Sequence, residues 1–284
     1  MNLIVETDLG HDPDDFFALC YLHAAGVNIK AILITPGDPD QIAIAKLFCR
    51  EVGLNIPIGV SDLERKELSS GSIHHALLKR YGHSLHTRAD CSGEEAIATA
   101  GEFDQFFVIG PATHTAEYLA KGNGAGKALT MQGGFLPYSR YTPTQRLTKF
   151  EGIQSIRTFN LLGDTDASQV IIDTTLTHKQ FVGKNVCHTI EFGKPEFEKF
   201  SPPKCRASEL FHEAANSYFA KNRSKKFHDP TAAVCMLHPE IGTWIRGNPE
   251  WIDGGYTTRI HPEGAHILAD IDREKLWRHL NDLY

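Results

Sequence analysis

Apolar and polar positions divide the first half of the chain into short apolar runs that alternate with longer stretches of helical period. Residues 3–5, 30–35, 56–60, 106–109 and 128–131 are runs dominated by apolar or β-branched side chains, the pattern of strands buried on both faces. Between them, residues 14–25, 40–52, 93–100 and 113–120 carry apolar side chains at helical spacing. Strands that alternate with helices need crossover connections. The pattern therefore predicts an α/β fold with a mainly parallel central sheet flanked by helices. The second half is less regular. Residues 136–154, with Pro137, Pro143, Tyr138, Tyr141, Phe150 and several threonines, read as a long loop near the site. Asp164 is placed to cap a helix over 166–172, and residues 194–204 form a charged, proline-containing linker. An amphipathic helix follows over 207–221, then a strand over 266–270 and a terminal helix over 273–284. No internal repeat or low-complexity tract divides the chain, so residues 1–284 are expected to form a single domain.

In open parallel sheets, ligands bind outside the carboxyl ends of the strands, so the residues after each strand carry the functional information. Here those residues are Thr7-Asp8, Thr35-Pro36-Gly37-Asp38, Gly110-Pro111-Ala112-Thr113 and Gln132-Gly133-Gly134-Phe135, all polar or glycine-rich. The first of these turns is unusual. Glu6, Asp8, Asp12, Asp14 and Asp15 crowd five carboxylates between a strand and a helix, more than capping the helix requires. Such a cluster repels itself unless a cation sits within it, and hard oxygen donors favour Ca²⁺ or Mg²⁺ over zinc or copper. Counting from Asp8, the sixth residue is Pro13 where an EF-hand needs glycine. A phosphate-binding loop would be glycine-rich and not anionic, and Gly122-Asn123-Gly124-Ala125-Gly126 reads as a helix-ending loop. If neighbouring strands converge, Asp8, Asp15, Asp38 and the backbone around Thr113 meet in one oxygen-lined crevice suited to a cation and a polyol.

A net charge of −6 and the lack of a basic run argue against nucleic acid or an anionic membrane as partner and favour a small neutral or cationic ligand. No stretch is long enough to span a membrane, and the first strand feeds the acidic turn directly without a signal-peptide pattern, so a cytoplasmic location is expected. The six cysteines show no CxxC pairing. Cys20, Cys49 and Cys235 fall in apolar helical patterns, and all six read as free thiols.

Taken in order, Glu6-Thr7-Asp8-x-Gly10, Asp14-Asp15, Gly110-Pro111-Ala112-Thr113, Gly133-Gly134, Phe159-Asn160 and His228-Asp229-Pro230 resemble the inosine-uridine preferring nucleoside hydrolases over nearly the whole chain. The resemblance implies a bound Ca²⁺ and hydrolysis of the N-glycosidic bond of a ribonucleoside to base and ribose. It implies that Asp8 is both a calcium ligand and the base that takes a proton from water. Asp15, Asp229 and the backbone carbonyl of Thr113 would complete the protein ligands. Asp14, Asn160 and Asp229 would hold sugar hydroxyls, with Phe159 and Thr158 beside them, and His228 would protonate the leaving base. Homodimers or homotetramers are common in the family. The physical logic is independent of the family: a cation that holds water and diol together supplies nucleophile and template, and carboxylates stabilise an oxocarbenium-like state.

The departures from the family pattern fall mostly around the substrate. His11-Asp12-Pro13 separates Gly10 from Asp14-Asp15 where one residue is usual, so Asp12 or Asp14 can take the ribose-binding role. Asp38 stands in place of asparagine, and Thr158 in place of a glutamate that contacts the 5′-hydroxyl. Glu6 replaces an aspartate, Gln132 a methionine, and His114 an asparagine. The alternative function is a calcium-dependent nucleoside or sugar binding protein without efficient catalysis. A metal-dependent phosphohydrolase would need a second aspartate two residues after Asp8 and a basic phosphate clamp, and neither is evident. His74, His75, His83 and His86 read first as surface histidines, with the border of the base pocket as the alternative. Phe135, Tyr138 and Tyr141 read as core or lid packing, and Lys225-Lys226 as a solvated turn.

Overall fold

The computed structural model describes residues 1–282. Its strands are β1 (Asn2–Thr7), β2 (Asn28–Ile34), β3 (Ile58–Val60), β4 (Cys91–Ser92), β5 (Gln105–Val108), β6 (Ala128–Gln132), β7 (His178–Val182), β8 (Glu191–Gly193), β9 (Ser224–Lys226), β10 (Gly242–Ile252), β11 (Gly255–Ile260) and β12 (Ala265–Ile271). The helices are α1 (Asp14–Ala24), α2 (Pro39–Val52), α3 (Ser72–Arg80), α4 (Gly93–Ala100), α5 (Thr113–Ala120), α6 (Phe159–Gly163), α7 (Thr165–Asp173), α8 (Lys184–Cys187), α9 (Lys194–Phe197), α10 (Arg206–Phe219), α11 (Asp229–Leu237) and α12 (Arg273–Asp282).

Ten strands form one sheet in the order β11-β10-β12-β7-β6-β5-β1-β2-β3-β4. Every pairing from β12 through to β4 is parallel, whereas β10 pairs antiparallel with both β12 and β11. From β1 the chain first builds outward to β4, then returns to the other side of β1 as β5 and continues to β7. The strand order thus reverses between β1 and β5, the switch point at which connections leave in opposite directions and open a crevice.

The interior strands alternate strictly between two cores. Leu3, Val5, Ile32, Ile34 and Phe107 pack on the face covered by α1, α2, α10 and α11. Ile4, Ala31, Leu33, Phe106 and Val108 pack on the face covered by α4, α5 and α7. A period of two with apolar residues at every position places β1 between two layers, and Leu3, Ile4 and Val5 are fully buried. The loop over 136–154 makes a satellite core in which Phe150 packs on Phe135 and Tyr138. Asp164 caps α7 by accepting from the Ala167 amide at 3.0 Å. Part of the segment read as a charged linker is helical, because Gly193 and Glu196 form the start of α9. Cys20, Cys49 and Cys235 are buried thiols inside helices. Among the described residues no helix is long and apolar enough to cross a membrane.

Candidate active site

At the switch point lies a cavity of about 340 Å³, and four successive strand ends open into it: Asp8 after β1, Ile109 after β5, Gln132 at the end of β6 and Lys184 just beyond β7. Helix starts supply the rest of one wall, with Asp14 and Asp15 opening α1 and Asp229 opening α11. Thr158, Phe159, Asn160, His11, Asp12, His188, Lys225 and His228 complete the lining.

The acidic turn is held by bonds that leave particular oxygens free. Thr7 donates its hydroxyl to Asp15 and accepts from the Leu9 amide at 3.0 Å, which couples the end of β1 to the start of α1. Gln41 of α2 donates to the Asp8 carbonyl at 3.0 Å while accepting from the Asp38 amide at 2.8 Å, so α2 is stapled to the same strand end. Gly10 occupies the left-handed region at φ 119°, where a side chain would be strained, and its carbonyl accepts from the Gly71 amide at 2.6 Å. Glu6, fully buried, accepts from the His114 and Thr115 amides at 2.8 and 2.9 Å. Those amides belong to the first turn of α5, whose N–H groups have no partner within the helix, so the carboxylate both satisfies them and complements the helix dipole.

Asp14 joins the two ends of the chain. Its Oδ2 accepts from the His228 amide at 3.0 Å and the Asp229 amide at 3.4 Å, and lies 3.3 Å from the His228 Nδ1. Its Oδ1 is buried with no hydrogen-bond partner among the described residues. Asp12 instead pairs with Lys225 of β9, Oδ2 to Nζ 2.7 Å, and the same ammonium lies 3.7 Å from Asp14. The Lys225 side chain is only 14% exposed. The reading of Lys225-Lys226 as a solvated turn is therefore corrected for Lys225: β9 carries it inward, and Asp12 and Asp14 raise its pKa against the cost of burial.

Electrostatically the carboxylates separate into two groups. Burial raises Asp12, but Lys225 outweighs that effect and holds it below the usual carboxylate range. Burial pushes Asp8 up to about 7, reinforced by the neighbouring Asp12 and Asp14. Burial drives Asp15 well above its ordinary value, with Asp8 adding to it. Asp229 is driven up in the same way by burial and then by Asp15 and Asp14. Asp8, Asp15 and Asp229 are thus desolvated acids, raised although Lys225 favours the charge on Asp8 and the Thr7 hydroxyl that on Asp15, while Asp12 is internally compensated. A set of buried hard-oxygen donors with negative charge met only in part fits a divalent cation of the calcium or magnesium type.

Not every residue anticipated from sequence lines the cavity. Asp38 does not: its carboxylate accepts from Arg65, and it serves as the N-cap of α2. Thr113 lies outside the lining and donates its hydroxyl to Asp164 at 2.8 Å. Phe159 lines the cavity and is 73% exposed, whereas Phe135 and Tyr138 are buried in the satellite core. None of His74, His75, His83 and His86 borders the cavity; His74 is buried edge-on against Phe16, and His75 lies 3.0 Å from Asp40. Lining residues that the sequence did not single out are Lys184 and His188. Recognition of β7 would have exposed them, since they follow a strand's carboxyl end. Burial, His228 and Lys149 hold His188 down to about 3, and its ring meets that of His228 edge to face at 5.1 Å. Asn160 donates to both the backbone carbonyl and the side-chain Oε1 of Gln132, at 3.0 and 2.9 Å.

A parallel sheet with an acidic, oxygen-lined crevice at its switch point, and a histidine beside a buried aspartate, is an α/β fold with a site suited to a cation and a polyol. The chain belongs to the inosine-uridine preferring nucleoside hydrolase family, whose model matches residues 3–278. No curated protein matches it. The fold is similar to an inosine-uridine preferring nucleoside hydrolase from Bacillus anthracis, with 14% identity, a TM-score of 0.68, and coverage of 99% of this chain and 98% of the other. It is also similar to a purine-preferring ribonucleoside hydrolase from Gardnerella vaginalis, with 14% identity, a TM-score of 0.68, and coverage of 100% and 99%. A plant nucleoside hydrolase shares 16% identity at a TM-score of 0.66 over 99% and 98% of the two chains. The protein is an N-ribosyl hydrolase.

Proposed function

We propose that the chain, working as one domain, hydrolyses the N-glycosidic bond of a ribonucleoside with Ca²⁺ held by Asp8, Asp15 and Asp229; the Thr113 carbonyl, expected as a further ligand, lies outside the cavity lining. The observation that carries this reading is the convergence on one cavity of Asp8, Asp15 and Asp229, three carboxyls that desolvation raises, beside the unpartnered Oδ1 of Asp14. Nucleoside hydrolases are metal-dependent in general, and the donor set here is one that calcium accepts. When bound, such a cation supplies a lowered pKa for the attacking water and a template for sugar hydroxyls.

The chain's own residues do the remaining work. Asp8 accepts the proton as the water oxygen bonds to the anomeric carbon. Asp14, fixed through its Oδ2, offers Oδ1 to a sugar hydroxyl, and its place in α1 favours it over the Lys225-paired Asp12 for that role. Asn160 spends its N–H groups on Gln132, which leaves its Oδ1 to accept from a second hydroxyl. As the bond from carbon to base nitrogen breaks, His228 gives a proton to the departing base and the ring of carboxylates stabilises the positive sugar.

The test is release of reducing sugar from purine and pyrimidine ribonucleosides with calcium present or chelated. Asp8→Asn is expected to lower kcat by about 10²–10⁴-fold, the range for removal of a positioned base, while leaving the circular dichroism spectrum unchanged. Calcium-independent release, or an Asp8→Asn enzyme as active as the original, would refute the mechanism. Calcium binding with no release from any nucleoside would favour the binding-protein alternative.

A further inference from the structure

The lining of the cavity is divided by charge. Its acids come from the β1–α1 turn and the start of α11. The segment 158–160 and the region that follows β7 contribute none, supplying Thr158, Phe159, Asn160, Lys184 and His188. On this second wall Lys184 is half-buried, and its one recorded partner is the Arg157 carbonyl at 3.0 Å. Lys149, exposed and outside the lining, reaches the Nδ1 of His188 from behind this wall. Among the described residues neither lysine forms an ion pair, although the molecule pairs many of its other cations. Thr158 is 3% exposed, lines the cavity, and has a buried Oγ1 without a hydrogen-bond partner. Burial and the repulsion of Lys149 both lower the Lys184 ammonium, and among the described residues no carboxylate pairs with it.

We propose that this second wall, Lys184 with Thr158 and His188, binds a phosphate ester, and that the substrate is a nucleoside 5′-monophosphate. The assignment rests on the proposed hydrolase reading, because that reading sets which part of the substrate faces which wall. With two sugar hydroxyls on Asp14, Asn160 and the cation, and the base at His228, the 5′ substituent is what remains of the ribosyl unit. A phosphate dianion accepts from an ammonium and a hydroxyl, which are the unspent donors here, and the acids on the first wall would reject it if it entered reversed. Water as nucleophile still cleaves only the bond from anomeric carbon to base, so the products are free base and ribose 5-phosphate.

The experiment has a catalytic and a binding arm, each run on the full chain with calcium. In the first, kcat/KM is compared for inosine and uridine and for their 5′-monophosphates. In the second, affinity for ribose, ribose 5-phosphate and inorganic phosphate is measured by calorimetry. The 5′-monophosphates are expected to exceed the nucleosides by about tenfold or more, the scale of one charge-assisted hydrogen bond, and ribose 5-phosphate to bind correspondingly tighter than ribose. In Lys184→Gln both ratios should fall about tenfold, and in Thr158→Val about threefold, with calcium affinity retained in each. Ratios at or below one, or ratios indifferent to Lys184→Gln, would overturn the inference. Inorganic phosphate binding as tightly as ribose 5-phosphate would mark a free-anion site and would also overturn it. If no substrate is cleaved the hydrolase reading fails, and the binding arm still decides the phosphate site.

Discussion

The two walls of the cavity were assembled differently. The acidic wall is mostly a single stretch of ten residues, Glu6 to Asp15, in which a buried strand runs into a helix, and only Asp229 comes from elsewhere. The basic wall is gathered from Lys184 and His188, with Lys149 behind His188, while Lys225 is carried in by a small two-stranded sheet to reach across to Asp12. On the first wall charge is concentrated and met only in part, by Lys225; on the second it is scattered along the chain and concentrated only by folding. A site can therefore advertise its acids in one line of sequence while concealing its counter-charges.

The largest effect should come from breaking the acidic wall at its distant member. Asp229→Asn is expected to abolish the rise in thermal midpoint that calcium produces. For the parent chain that rise reflects about 2.7 kcal/mol of stabilisation at calcium a hundredfold above its Kd. Differential scanning fluorimetry with and without chelator reads both quantities, and an undiminished shift in the variant would remove Asp229 from the ligand set. Without calcium the same variant should be more stable than the parent, since it relieves a buried acid of its unmet charge.

A second experiment addresses the support beneath the acidic turn. Burial pushes His74 down to about 4, against an ordinary value of 6.5. Its folded pKa is depressed, so the unfolded chain takes up a proton below pH 6.5 that the folded chain refuses until about pH 4. Stability is lost as pH falls through that window, by about 2 kcal/mol at pH 5. Urea unfolding at pH 7 and pH 5 should show His74→Leu losing less over this interval than the parent. Equal losses would mean that His74 is not the group that titrates.

The smallest expected effect bears on the link between the walls. Lys225→Met strands Asp12, and because Asp12 is 41% exposed the cost should be about 1–2 kcal/mol and not the larger penalty of a fully buried charge. Asp12→Asn combined with Lys225→Met should recover most of it in a double-mutant cycle. Additive losses would show that the pair is not coupled.

How much of this could be read from sequence follows the same division. Helices α4 and α5 lie at the residues expected, and β1, β2, β5 and β6 within a residue or two, because continuous apolar runs bounded by turn residues have few other structures open to them. Strand β7 was not anticipated: His178-Lys179-Gln180 opens it with polar side chains, and only its pairing with β6 and β12 makes it a strand. The β10–β11 hairpin was also missed, since Gly247 and Pro249 interrupt any alternation and its order comes from antiparallel partners. At the site, Asp8, Asp14, Asp15, Asn160, His228 and Asp229 share one cavity, in line with the motifs that singled them out. Asp38 was taken for a cavity residue on its position after β2, and its carboxylate proved to be occupied by Arg65. No local pattern could reveal that partner, because the pairing depends on a loop whose path is set by tertiary structure.

The bond between Asp12 and Lys225 spans 213 positions of the chain. While a ribosome is still extending the polypeptide, the acidic turn is already outside and has neither that lysine nor Asp229 to meet it. Strand β1 can pair with β2 early, but its other neighbour, β5, arrives about eighty residues later. Closing so long a loop is entropically slow, and an early turn bristling with like charges has little reason to settle before its partners emerge. The pocket is thus a late product of synthesis, and a ribosome that stalls before residue 225 releases a chain with most of its sheet and no working centre.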